Sequence, residues 1–96
     1  MIKVVAKNFV KKGNEEEFLV LAKKLIEQTT QNDEGCISYE LFQDVNDLNL
    51  FTIMEAWENK DVLDQHMAAK HFQQIIPQLG KLMDKPGEIN VYKKVE

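Results

Sequence analysis

The residues able to do chemistry in this chain are few, and most of them interrupt a pattern. Two histidines, His66 and His71, stand five positions apart. On one continuous helix that spacing puts them about 140° apart at ~100° per residue, so they do not converge on one ion. The i, i+4 spacing of helical metal pairs is missing. The single cysteine, Cys36, completes no chelating set and no internal disulfide, and is expected to be a small buried apolar residue. No metal site is therefore expected. His66 shares a helical stripe with Val62, Leu63 and Met67 and points inward. A neutral imidazole there is either a satisfied core residue or a general base for an acidic phenol or enol.

Two polar residues sit where apolar ones belong. Asn8 interrupts the row Ile2, Val4, Ala6, Val10, and Glu55 interrupts Phe51, Ile53, Trp57. An unpaired buried polar group costs on the order of 1–3 kcal/mol. Either a ligand-filled cavity lies under the helices, or Asn8 ties down a bulge and Glu55 meets a lysine at the sheet margin. Trp57 is core packing or an aromatic wall for a flat ring, its indole nitrogen a donor. Tyr39, in a row with Ile37 and Leu41, is a second candidate for that wall. Glycine-rich phosphate loops and serine–histidine–acid signatures are absent, so nucleotide chemistry has no support.

These groups need elements to hold them. Ile2 to Lys11 alternate with period two and read as a strand. Asn14 is a candidate N-cap, with Glu15, Glu16 and Glu17 in the first turn, where the helix dipole favours negative charge. Phe18, Leu21, Ala22, Leu25, Ile26 and Thr29 form an amphipathic stripe that fades at Asn32-Asp33, and Gly35 supplies the left-handed residue beyond it. Strands follow at Cys36–Gln43 and Leu48–Trp57, joined by Asp44-Val45-Asn46-Asp47. Asn59 caps a short helix, and a second carries Phe72, Ile75, Ile76, Leu79, Leu82 and Met83. Pro77 is expected to kink or restart that second helix. Glu88 to Val95 reads as a last strand.

The order strand, helix, strand, strand, helices, strand is the split βαβ arrangement. It predicts one α+β, ferredoxin-like domain over residues 1–96, with helices covering one face of a four-stranded antiparallel sheet. Without bulges, the bare face carries Val5, Phe9, Phe42, Leu50, Met54 and Tyr92 among Lys3, Lys7, Glu40 and Thr52. A half-apolar sheet face suits a second copy of the chain better than water, so a homodimer is expected. The net charge of −4 with scattered lysines argues against nucleic acid. No apolar run approaches the ~20 residues needed to cross a bilayer, and Met1-Ile2-Lys3-Val4-Val5 is a strand rather than a leader. The expected compartment is cytoplasmic.

The ordered set Val4-Val5-Ala6-Lys7-Asn8, Gly13, Glu17-Phe18, Glu34-Gly35-Cys36-Ile37-Ser38-Tyr39, Glu55-Ala56-Trp57 and His66-Met67-Ala68-Ala69-Lys70-His71-Phe72 resembles the antibiotic biosynthesis monooxygenase family. The resemblance implies a dimeric α/β barrel with a chamber between helices and sheet. It also implies oxidation of a small quinol or phenol by molecular oxygen without metal or flavin. It makes His66 the general base, with Asn8 and Trp57 as donors. Glu55 would orient a neighbour or raise the basicity of an imidazole, with Tyr39 in the wall and His71 near the mouth. Heme-degrading relatives resemble the chain at Asn8, but their heme-ligating histidine falls near Ile76, and isoleucine cannot ligate iron. Relatives acting on a phosphorylated sugar signal share the paired histidines, with Lys70 the only cation beside them. Enolisation of a small carbonyl compound, or binding of an aromatic ligand without turnover, would use the same chamber.

Overall fold

The alternation of the first residues becomes strand β1 (Ile2–Phe9) in a computed structural model that describes residues Met1 to Glu96. The other elements are α1 (Glu15–Asn32), β2 (Cys36–Gln43), β3 (Leu50–Trp57), α2 (Lys60–Ala68), α3 (Lys70–Gly80) and β4 (Glu88–Lys93). The strands form one antiparallel sheet in the order β2-β3-β1-β4. This is the α+β ferredoxin-like fold, with the sheet's two central strands donated by separate halves of the chain. No helix is long and apolar enough to cross a membrane.

Register settles which residues share a face. Val4 lies opposite Glu55, Asn8 opposite Phe51 and Ile2 opposite Trp57, and this side takes the helices. Helix α1 packs on α3 and on β2, while α2 meets β3. Phe18, Leu25, Trp57, Leu63 and Leu79 are fully enclosed between the layers. The rings of Phe18 and Phe51 meet with centroids 5.3 Å apart. The other side of the sheet carries Val5 opposite Met54 and Lys3 opposite Tyr92, as the alternation predicts. Met54, Phe42 and Tyr92 stay exposed there.

Three local expectations are corrected. Asn14 stands at the N-cap of α1 but makes no side-chain cap; its amide reaches across to Leu82 O at 3.3 Å. Glu15 satisfies the loop instead, accepting from Gly13 N at 2.7 Å and from Asn49 Nδ2 at 3.0 Å. Strand β2 contains a bulge between Cys36 and Ser38, which leaves Ile37 outside the row of Tyr39 and Leu41 and exposes it. Pro77 lies within an unbroken α3; the helical run restarts at Ala69, whose extended backbone (φ −67°, ψ 146°) separates α2 from α3. The caps at Asn59 and Gly35 match the sequence. Asn59 Oδ1 accepts from Val62 N at 3.0 Å, and Gly35 takes φ +82°.

Candidate active site between helices and sheet

A chamber of about 180 Å³ opens between the covered sheet face and α3. Its floor is Ala6, Lys7 and Asn8 of β1, Tyr39 of β2, and Ile53 and Glu55 of β3. Phe72, Ile76 and Leu79 of α3 roof it, and Met83, Gly87 and Ile89 close the side toward β4. A larger hollow of about 660 Å³ lies at the far end of the sheet, lined by Lys11, Lys12, Asp47, Asp84, Lys85 and their neighbours. Those five side chains are exposed and no buried titratable group faces them, so the smaller chamber is the candidate site.

Glu55 dominates the chamber. Strand β3 is central and its residues are almost all buried, so the period-two row carries this carboxyl inward beside Ile53 and Trp57. Burial raises its pKa from an ordinary 4.5 to about 7, against the opposing pull of a hydrogen bond from the indole. That bond runs from Trp57 Nε1 to Glu55 Oε1 at 2.9 Å. Tyr39 is the register partner of Glu55 on the neighbouring strand. Burial, then the nearby Glu55 charge, pushes its phenol far above the ordinary value, so it stays protonated and makes no hydrogen bond within the chain. Together they form a carboxyl poised near neutrality and a neutral O–H donor, side by side under an apolar roof.

Asn8 meets the chamber, but its amide hydrogens are committed to Ala6 O and Phe51 O, both at 3.2 Å. What it can offer a ligand is the carbonyl oxygen, an acceptor rather than the expected donor. Trp57 is likewise committed: fully buried, outside the chamber lining, with its only N–H given to Glu55.

His66 is packed behind the wall. Its ring lies 4.6 Å from Trp57, 4.9 Å from Phe72 and 5.3 Å from Tyr39, centroid to centroid. Tyr39 and Phe72 thus touch the imidazole as well as the chamber, whereas His66 does not line it. Nδ1 lies 2.5 Å from Asp33 Oδ2, and Nε2 is enclosed without a polar partner. Burial lowers the His66 pKa, with Asp33 opposing, so the ring is neutral at pH 7 and Nδ1–H donates to the carboxylate. His71 Nε2 reaches the same Asp33 oxygen at 2.9 Å. The two histidines therefore converge, because the break at Ala69 removes the continuous helix on which their divergence was reckoned. Asp33 was missed in the sequence. It reads there only as a helix end, and no local signal marks a C-terminal aspartate that reaches across to two other helices.

Comparison with known proteins agrees with this fold. A family profile described as Antibiotic biosynthesis monooxygenase matches residues 1–78. The chain belongs to that family. The uncharacterized Synechocystis protein sll1783 (strain PCC 6803) is 37% identical over 94 residues, which cover 97% of this chain and 63% of that protein. The chain thus spans less than two thirds of that relative's length. YcnE of Bacillus subtilis (strain 168), provisionally named a monooxygenase, is 32% identical over 80 residues, 83% of either chain. A crystal structure titled antibiotic biosynthesis monooxygenase superposes with a TM-score of 0.92 at 30% identity, covering 100% of both chains. A conserved Methanosarcina mazei Go1 protein gives 0.93 at 44% identity, over 97% of this chain and 91% of that one. The antibiotic biosynthesis monooxygenase fold thus frames a chamber lined by Glu55 and Tyr39.

Proposed function

We propose that this chain is a monooxygenase that oxidises a small quinol-like or phenolic compound with molecular oxygen, using no bound cofactor. The observation that carries this reading is a buried carboxyl of pKa about 7 facing a neutral phenol in a chamber of otherwise mostly apolar walls. Family membership supports the oxygen chemistry. Size supplies the substrate class: about 180 Å³ exceeds the ~150 Å³ cavity that holds benzene and falls short of the ~300 Å³ at which drug-sized sites begin. One aromatic ring with polar substituents fits those bounds.

In this mechanism ionised Glu55 takes the proton from a quinol hydroxyl, and Tyr39 O–H donates to the oxygen that becomes anionic. The anion passes one electron to dioxygen. The resulting semiquinone radical and superoxide join by a carbon–oxygen bond, and a proton completes a ring hydroperoxide. Its O–O bond then breaks with loss of water. Quinol plus O₂ becomes hydroxyquinone plus H₂O, the quinol losing electrons and dioxygen gaining them. The apolar roof of Phe72, Ile76 and Leu79 keeps bulk water from the radical pair. The base role expected of His66 passes to Glu55 because the imidazole does not reach the chamber. His66 instead backs Tyr39 and Phe72.

Oxygen uptake with a panel of hydroquinones, chelator present throughout, tests the reading. Turnover above autoxidation is expected, with Glu55→Gln reducing kcat ~10²-fold or more. An unchanged rate in a folded Glu55→Gln variant would refute the assignment. We infer as well that two copies pair through the bare sheet faces, where Met54, Phe42 and Tyr92 stand exposed.

A further inference from the structure

We propose that Asp33, His66 and His71 form a binding site for one divalent transition-metal ion of the zinc type, separate from the oxidation chamber. Three elements deliver the ligands: Asp33 caps α1, His66 lies in the last turn of α2, and His71 lies in the first turn of α3. His66 Nδ1, His71 Nε2 and a carboxylate oxygen of Asp33 all lie within 4.8 Å of one another. None of the three residues lines the chamber.

The donor set selects the ion. Two imidazoles with one carboxylate suit zinc and its neighbours, whereas magnesium and calcium prefer all-oxygen shells. Bond lengths of about 2.0–2.2 Å to nitrogen and oxygen place such ligands ~3.3 Å apart around a tetrahedral ion. The observed N···O separations of 2.5 and 2.9 Å therefore have to widen by only several tenths of an ångström. Each of these contacts needs something electropositive between the nitrogen and the oxygen. Protons can supply it singly, and one divalent ion satisfies all three atoms together.

Two further observations favour a built site. The His66 ring is clamped by Trp57, Tyr39 and Phe72, which fixes the direction of Nδ1 before any ion arrives. A hollow of about 250 Å³ leads to the cluster from the surface, with Asp33 and His66 in its wall beside Glu34 and Gln65. It gives an entry path and room for the water that completes the coordination. Bound there, the ion joins the end of α1 to the α2–α3 break and leaves the chamber to Glu55.

Isothermal titration of the chelator-treated protein with ZnCl₂, without substrate, is the test. One ion per chain is expected, with a dissociation constant below ~10 µM. His71→Ala and Asp33→Asn should each weaken it at least tenfold while keeping the wild-type circular dichroism spectrum. Cobalt(II) in place of zinc should give the intense visible bands of a four- or five-coordinate ion, lost in His71→Ala. The partly exposed His71 makes that variant the one most certain to fold. Absence of stoichiometric uptake, equal affinity in both folded variants, or a cobalt spectrum like that of the hydrated ion would each overturn the site. Oxygen uptake under chelation is a separate measurement, so either result can fail without the other.

Discussion

A carboxyl held near neutrality sets two pH dependences at once. As a base Glu55 must be ionised, so kcat/KM should rise through pH about 7 and level off above it. Stability runs the other way. The folded pKa of about 7 lies above the ordinary 4.5, so between those values the folded chain binds more protons than the unfolded one. Stability is therefore complete below about 4.5 and falls as pH rises through 7. At ~1.36 kcal/mol per pH unit the contribution is up to about 3 kcal/mol. Urea midpoints at pH 5 and pH 8 should differ accordingly in wild type and converge in Glu55→Gln. A wild-type midpoint that does not fall between those pH values would show that the carboxyl is not perturbed.

At the scale of elements, a single glycine holds the junction between α1 and β2. Gly35 adopts φ +82°, and a Cβ there would lie 2.6 Å from the Val62 side chain of α2. Gly35→Ala meets both penalties and should cost ~2–4 kcal/mol in chemical denaturation. A cost under ~0.5 kcal/mol would mean that α2 moves aside freely. The sequence marks this position well, as it does the strands, because alternation and stripes depend on local spacing. Asn59 was legible for the same reason: its cap is satisfied within three residues. The bulge at Ile37 was not, because an extra apolar residue in an apolar row leaves the pattern looking intact. Ala69 was not legible either. Alanine is a strong helix former, and the break coincides with Asp33 engaging His66 and His71, contacts that span 33 and 38 residues. Pro77 misled in the opposite sense. It faces solvent late in α3, where the carbonyl it leaves free can turn to water. Of the site, the inward rows at Asn8, Tyr39 and Glu55 could be read from alternation. Which of their polar atoms were already spent could not, since that is a matter of partners across the sheet.

For the whole molecule, the bare sheet face is the surface proposed to meet a second copy. Met54 lies at its centre, opposite Val5 on one side and Glu40 on the other. Met54→Glu puts a charge into the proposed dimer seam without touching the chamber. Sedimentation velocity at micromolar concentration should show a dimer for wild type and a monomer for this variant. A monomeric wild type would remove the dimer. In the proposed reaction, any superoxide or peroxide that escapes the chamber would meet the protein itself. The only thiol, Cys36, lies half-buried on the strand pair beside Trp57, and burial together with the Glu55 and Asp33 charges lifts its pKa to about 11. Roughly one thiol in ten thousand is then ionised at pH 7. Iodoacetamide should label it far more slowly than glutathione, and rapid labelling of the native protein would contradict this. The chain's one thiol is thus kept in its unreactive form, so oxidant released nearby finds almost no thiolate to attack.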